Sequence, residues 1–197
     1  MVHTVPLPRR PPDPSGSVRH WYEEGLGWAT LPGEPVRLAT GVRFDVLEMP
    51  AEAGPAALRH LGPASPVARY RGRLRLLVAA GSAEELPGLL EWLEWGTLAL
   101  DLTAIGAGGH MEAPLPPGPA GTPEARPLPP DRNESQGAAV WLRPPEPGRE
   151  VEPLLPTLSA VRGGEGAPDL VRLVDTMATQ CHRVRLLRSC AQPFAFS

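Results

Sequence analysis

The chain contains no lysine; all 19 of its cationic residues are arginine. Every cationic site is therefore a planar guanidinium, matched to the bidentate geometry of phosphate and carboxylate. Cysteine is scarce as well. Cys181 and Cys190 form no CxxC motif and fall in or near one predicted helix. No apolar stretch approaches the roughly 20 residues that span a bilayer, so no membrane partner is expected. The N-terminus runs directly into Pro and Arg with no apolar leader core, so the expected location is cytoplasmic, with both thiols reduced. Excess positive charge is also missing. A net charge of -3 speaks against a protein that coats nucleic acid through bulk charge, although it leaves room for a local basic groove.

What is abundant is apolar residue and chain breaker. Hydrophobic residues make up 42% of the 197, enough for a core without disulfide or metal staples. With 21 Gly and 27 Pro, about a quarter of the chain approaches low-complexity composition. The reading that fits both is one domain of ordinary size carrying Pro-rich insertions. The expected division is a flexible Pro-rich arm over 1–16, a single α+β domain over 17–190 and a tail over 191–197. Within the domain, 113–136 (eight prolines) and 144–168 read as loose Pro/Gly-rich loops.

Ser17 is placed to cap a short helix to about Glu24, which Gly25 and Gly27 end. Val36–Ala39 and Val42–Met49 read as strands joined by a tight Thr40-Gly41 link. A short helix over Ala56–Leu61 follows Pro55. Residues 67–80 read as one central strand. Ser82–Glu85 has the form of a capping box, but Pro87 is set too deep for a clean first turn: either Ser82–Leu86 is a separate turn or the helix that carries Leu89, Leu90, Trp92, Leu93 and Trp95 starts near Pro87. Thr97–Ile105 and Ala138–Leu142 are further strands. Asp169–Arg188 is the strongest helix. Leu170, Leu173, Val174, Met177, Cys181 and Val184 share one face, and Arg183, Arg185 and Arg188 lie near the C-terminus, where the dipole favours cations. This order lacks strict βαβ alternation. It favours α+β with a mixed or antiparallel sheet and flanking helices.

Several residues carry candidate chemistry. Arg69, Arg71, Arg73 and Arg75 recur at every second position, which puts all four on one face of a single strand. Such a ladder binds phosphates of a nucleotide or nucleic acid, or is a solvated face paired to acids. Asp45, Glu48 and Asp101 are candidate metal ligands, but Asp45 and Glu48 have opposite strand parity. His110 follows Gly106–Gly109, which is no P-loop because no GK[ST] follows. Cys181-His182 is no nucleophile–base pair, because adjacent helix residues do not face each other; Cys181 reads as core. Trp92 and Trp95 likewise read as core, and the Pro-rich loops as partner ligands or tolerated insertions.

Three stretches together carry a resemblance: Leu38-Ala-Thr-Gly-Val-Arg-Phe-Asp-Val-Leu-Glu-Met-Pro50 with Gly54 and a helix after it; Arg71-Gly-Arg-Leu-Arg-Leu-Leu77; and Leu100-Asp-Leu102, Gly108-Gly-His-Met-Glu-Ala-Pro114 and Ala139-Val-Trp-Leu142. Residues of about 17–143 resemble the N-terminal catalytic domain of bifunctional primase–polymerases, in the archaeo-eukaryotic primase superfamily. The whole chain also resembles a small family of proteins from Streptomyces and related actinobacteria. That agrees with a composition suggesting a GC-rich genome and implies no activity. The primase–polymerase likeness implies two metal-binding acids one position apart, but Glu48 and Pro50 stand there, and Pro50 cannot ligate. It implies a histidine where this chain has Leu74, or an arginine under a one-residue register shift. At the third metal position Asp101 is retained.

The expectation is thus a degenerate, non-catalytic member: an accessory or regulatory factor binding nucleic acid, nucleotide or a protein partner, needing no cofactor. Its ligand residues are expected to be Arg69, Arg71, Arg73, Arg75 and His110. One alternative is a residual nucleotidyl or phosphoryl transferase using Glu48 and Asp101 with Mg²⁺ or Mn²⁺. The other is a pure protein-interaction module.

Overall fold

A computed structural model describes residues 14–117, 138–158 and 169–190. Residues 1–13 of the expected arm, 118–136 of the first loop, 159–168 of the second and the tail lie outside these residues, whereas 14–16 of the arm are helical.

The chain is α+β, with two antiparallel sheets and flanking helices. Helix α1 (Pro14–His20) continues into a π-helical turn, Trp21–Gly25, and so begins before Ser17. Strands β1 (Thr30–Leu31), β2 (Arg37–Ala39) and β7 (His110–Glu112) form a three-stranded sheet in the order β1-β2-β7. Strands β3 (Asp45–Pro50), β4 (Val67–Tyr70), β5 (Arg73–Val78), β6 (Thr103–Ile105) and β8 (Val140–Arg143) form a second sheet in the order β6-β3-β5-β4-β8. Helix α2 (Gly54–Ala57), extended by 3-10 turns on either side, α3 (Ser82–Trp92) and α4 (Leu170–Cys190) complete the described elements.

Thr40-Gly41 is not a hairpin link. It is a corner at which the chain leaves one sheet for the other, since β2 pairs only with β1 and β7 while β3 pairs with β5 and β6. The Gly106–Gly109 turn makes the matching corner between β6 and β7. The corners interlock. The Thr40 hydroxyl donates to the Gly106 carbonyl at 2.6 Å, and a Cβ on Gly41, whose φ is +84°, would stand 2.2 Å from the Ala107 backbone.

The five-stranded sheet divides the core in two. On one face Leu47, Met49, Leu74 and Leu76 pack beneath the α4 stripe, where Leu170, Leu173, Val174, Met177, Cys181 and Val184 are buried as the spacing requires. Asp169 caps α4, accepting the Val171 N–H at 2.9 Å. On the other face Val46, Ala68 and Leu77 meet an aromatic group of Tyr22, Trp28, Phe44 and Trp141. Trp28 and Phe44 rings lie 4.6 Å apart.

Several expectations are corrected. Residues 144–158 are not a loose loop: Val151 and Leu155 are buried in the aromatic core, and the Leu154 carbonyl accepts the Ser65 hydroxyl at 2.7 Å. These two apolar side chains flank a 3-10 turn, Glu152–Leu154, and the Pro156 carbonyl accepts the Ala79 N–H at 3.0 Å. Residue Pro114 is anchored too, its carbonyl accepting the Tyr22 hydroxyl at 2.7 Å. Strand β6 is shorter than Thr97–Ile105, because 97–102 form a loop. Trp92 is 71% exposed, not core, while Trp95 lies at the α4 surface, donating to Asp175 at 3.0 Å. Helix α3 runs through Pro87, and its cap is not Ser82. The buried Asp45 carboxylate of β3 accepts the Gly81 and Ala83 N–H groups at 2.8 and 2.9 Å. Burial nevertheless raises the Asp45 pKa above the usual carboxylate range.

Candidate functional site: an arginine-lined cleft beside the last helix

The arginine ladder breaks at its second rung. Residues 67–78 are two strands joined at Arg71-Gly72, both with positive φ (47° and 73°), the geometry of a type I′ hairpin. A two-residue turn pairs odd positions with even ones: Arg69 faces Leu74, Ala68 faces Arg75, and Tyr70 faces Arg73. Arg69 is therefore on the opposite sheet face from Arg73 and Arg75. Arg71 is at the exposed hairpin tip, its guanidinium 4.9 Å from the centre of the Tyr70 ring. Arg73 and Arg75 do share a face, with Glu48 and Pro50 across the strand boundary.

On that face the arginines meet acids. Arg75, only 5% exposed, donates its Nε to Glu48 at 2.5 Å and an Nη to Glu112 at 2.8 Å, with its plane over Tyr70. Arg73 has its Nε 3.8 Å from the other Glu48 oxygen and donates Nη1 to Asp101 at 2.6 Å. The second Asp101 oxygen lies 3.7 Å from Arg188 of α4, and Arg188 also reaches Glu52 at 3.3 Å. Acid and base alternate along one line: Glu112, Arg75, Glu48, Arg73, Asp101, Arg188, Glu52. The line runs from the small sheet, across the large one, to α4. Burial raises the Glu112 pKa, but the hydrogen bond and charge of Arg75 outweigh it, and the net shift is downward.

Asp101 is in the 97–102 loop, which three further contacts hold between sheet and helix. Arg73 Nη2 donates to the Asp101 carbonyl at 3.4 Å, Arg185 donates to the Ala99 carbonyl, and the Cys181 thiol faces the Asp101 carbonyl at 3.6 Å. Burial and then the Asp101 charge push the Cys181 thiol up to about 11, so it remains a neutral core group, as its place on the stripe implies. Between loop and helix opens a cleft of about 380 Å³, a size suited to small-molecule ligands. Pro50, Leu100, Cys181 and Val184 give it an apolar wall, and Asp101, Arg185, Arg188 and Ser189 its polar edge.

The structure thus brings Glu48, Arg73, Arg75 and Asp101 into one network and leaves Arg69 and Arg71 outside it. His110 is in a strand rather than a loop. It is exposed on β7, its Nε2 3.4 Å from Arg37. Asp45 and Glu48 point to opposite faces, as their parity requires.

The resembled family's metals do not fit these residues. Pro50 offers no ligand, and Glu48 and Asp101 already hold arginines on both oxygens. Among the described residues no group of three His, Cys, Asp or Glu is disposed to hold a metal ion, and no helix is long and apolar enough to cross a membrane. Compared with known families, curated proteins and solved structures, the chain matches none.

The sequence reading missed Arg185 and Arg188 as site residues. Their signal, three arginines within six positions at the end of an amphipathic helix, was visible but has a sufficient explanation in the helix dipole.

Proposed function

We propose that the chain is a non-catalytic protein of primase–polymerase-like fold that binds a phosphate-bearing ligand, a nucleotide or nucleic acid, in the cleft beside α4. It acts as an accessory or regulatory factor. The observation that carries this reading is the placement of guanidinium groups where the resemblance would have metals. Pro50 and Asp101 line one cleft, and the cations beside them are Arg73, Arg185 and Arg188. A guanidinium supplies a permanent positive charge and bidentate donors to phosphate, but it activates neither a nucleophile nor a leaving group as a metal pair does. Metal-dependent transfer would require Asp101 to exchange both arginine partners for a cation.

Fluorescence anisotropy with labelled oligothymidylate and with a labelled nucleoside triphosphate, in EDTA, tests the proposal. Binding should be micromolar or weaker and fall steeply with salt. Replacing Arg185 and Arg188 together by Ala should weaken it about tenfold or more, the scale of losing charged hydrogen bonds. Equal binding by that variant, or none by the wild type, contradicts the reading.

A protein partner is the second reading. Leu186 and Leu187 favour it, standing 51% and 65% exposed beside the same arginines. Recovery of a partner after nuclease treatment, lost when both leucines become Ser, would support it.

A further inference from the structure

Arg188 is not presented to solvent as a free cation. Its guanidinium is bracketed by two carboxylates, Asp101 at 3.7 Å and Glu52 at 3.3 Å, while its side chain remains 54% exposed. Asp101 is divided in turn between Arg188 and the half-buried Arg73, at 2.6 Å. The charges at this edge are therefore Arg73, Arg183, Arg185 and Arg188 against Asp101 and Glu52. A phosphate approaching Arg188 meets one carboxylate on either side, each within ion-pair distance of the guanidinium.

The two carboxylates are not equivalent. Glu52 is 66% exposed and bonds only to Arg188 in this network, so solvent screens it and its departure disturbs little. Asp101 lines the cleft itself and lies on a loop tied to β5 and α4. It retains Arg73 when Arg188 turns away.

We propose that Asp101 is an internal competitor for the anion site: its carboxylate occupies Arg188 in the empty protein, and a bound phosphate replaces it there while Asp101 stays on Arg73. The proposal rests on the anion-binding reading above and adds the residue that sets its affinity and selectivity. A weak singly charged anion does not displace the carboxylate, whereas a multiply charged phosphate group does. The acid that the resemblance would make essential is thereby inhibitory.

The sign of one substitution decides the matter. Isothermal titration of the whole chain with inorganic pyrophosphate, in EDTA and low salt, compares the wild type with Asp101→Asn. Removing one negative charge about 4 Å from the ligand's cation should tighten binding roughly fivefold to tenfold after screening, shrinking in high salt. Glu52→Gln should tighten it about twofold, reflecting its greater exposure. Arg188→Ala combined with Asp101→Asn should abolish the gain, because the competitor and the ligand share that guanidinium. Circular dichroism checks that each variant folds, and Glu52→Gln, at an exposed position, keeps the test alive if Asp101→Asn does not. Wild-type binding with no tightening in either carboxylate variant overturns the competitor and leaves the anion site standing. No pyrophosphate binding by any of the proteins overturns both.

Discussion

The two faces of the five-stranded sheet are built from different materials. One face packs Tyr22, Trp28, Phe44 and Trp141 against the small sheet and the docked 144–158 segment. Among the described residues, the other packs aliphatic residues, Met and Cys beneath α2, α3 and α4, with no aromatic ring. The aromatic cluster is closed, but its sheet face continues into the ion-pair line of Arg75, Glu48 and Arg73. The cluster's polar atoms pair internally, with the Trp141 indole donating to Tyr22 at 3.0 Å and Tyr22 to Pro114. Burial holds the Tyr22 phenol far above its ordinary pKa, a neutral hydrogen-bonding group and nothing more. The aliphatic face ends in the open cleft, where α4 runs past the sheet and its arginines meet the 97–102 loop. Large rigid rings supply burial on one side, and the charged line crosses from that side through Asp101 to Arg188 at the cleft.

If the aromatic face carries the stability, its most distant contributor should be the most costly to truncate. Leu155 is fully buried there. Leu155→Ala should destabilise the fold by about 2–5 kcal/mol in urea unfolding, the scale of a core cavity. A cost near zero would restore 144–158 to the loose loop its composition suggests.

Asp45 tests the joint between sheet and helix. Asp45→Ala strips the α3 cap and should cost about 1–2 kcal/mol. Asp45→Asn retains an acceptor and should cost less. The pH dependence has a definite sign. Because the folded pKa of Asp45 is raised, the folded state holds the proton more tightly than the unfolded chain. Wild-type stability relative to Asp45→Asn should therefore grow as pH falls through that raised value. Glu112, with its folded pKa lowered by Arg75, works in the opposite direction and loses its contribution as pH falls through the folded value.

The smallest stability effect belongs to the cleft. Arg188 is half exposed, so Arg188→Ala should change unfolding stability by no more than about 0.5 kcal/mol while lowering anion affinity. A large loss of stability would move Arg188 from ligand binding to fold maintenance and erase the contrast between the faces.

Much of this was legible in the residues themselves. The α4 stripe was read position by position, because helical periodicity over some twenty residues has few competing explanations. The parity of Asp45 and Glu48 separated them correctly. What failed were inferences needing a partner distant in sequence. Arg69 to Arg75 alternates like one strand, and only the left-handed backbone at Arg71-Gly72 shows that it is two. Ser82–Glu85 has the form of a capping box, yet Asp45, more than thirty residues upstream, does the capping. Val151 and Leu155 lie among prolines and acids that mask their burial. Glu48 and Asp101 were identified as the surviving acids, but nothing local announced that arginines from β5 and α4 would hold them.

If arginines stand in place of metals at this cleft, a thermal-shift comparison separates the two kinds of ligand. The same protein is melted with Mg²⁺ or Mn²⁺ alone, and separately with inorganic pyrophosphate in EDTA. A ligand bound only by the folded state raises the melting temperature, and the rise grows with the logarithm of its free concentration relative to Kd. The expected result is a rise with pyrophosphate that Arg185→Ala/Arg188→Ala removes, and none with either metal. A metal-induced rise that disappears in Asp101→Ala, with no response to pyrophosphate, would contradict it.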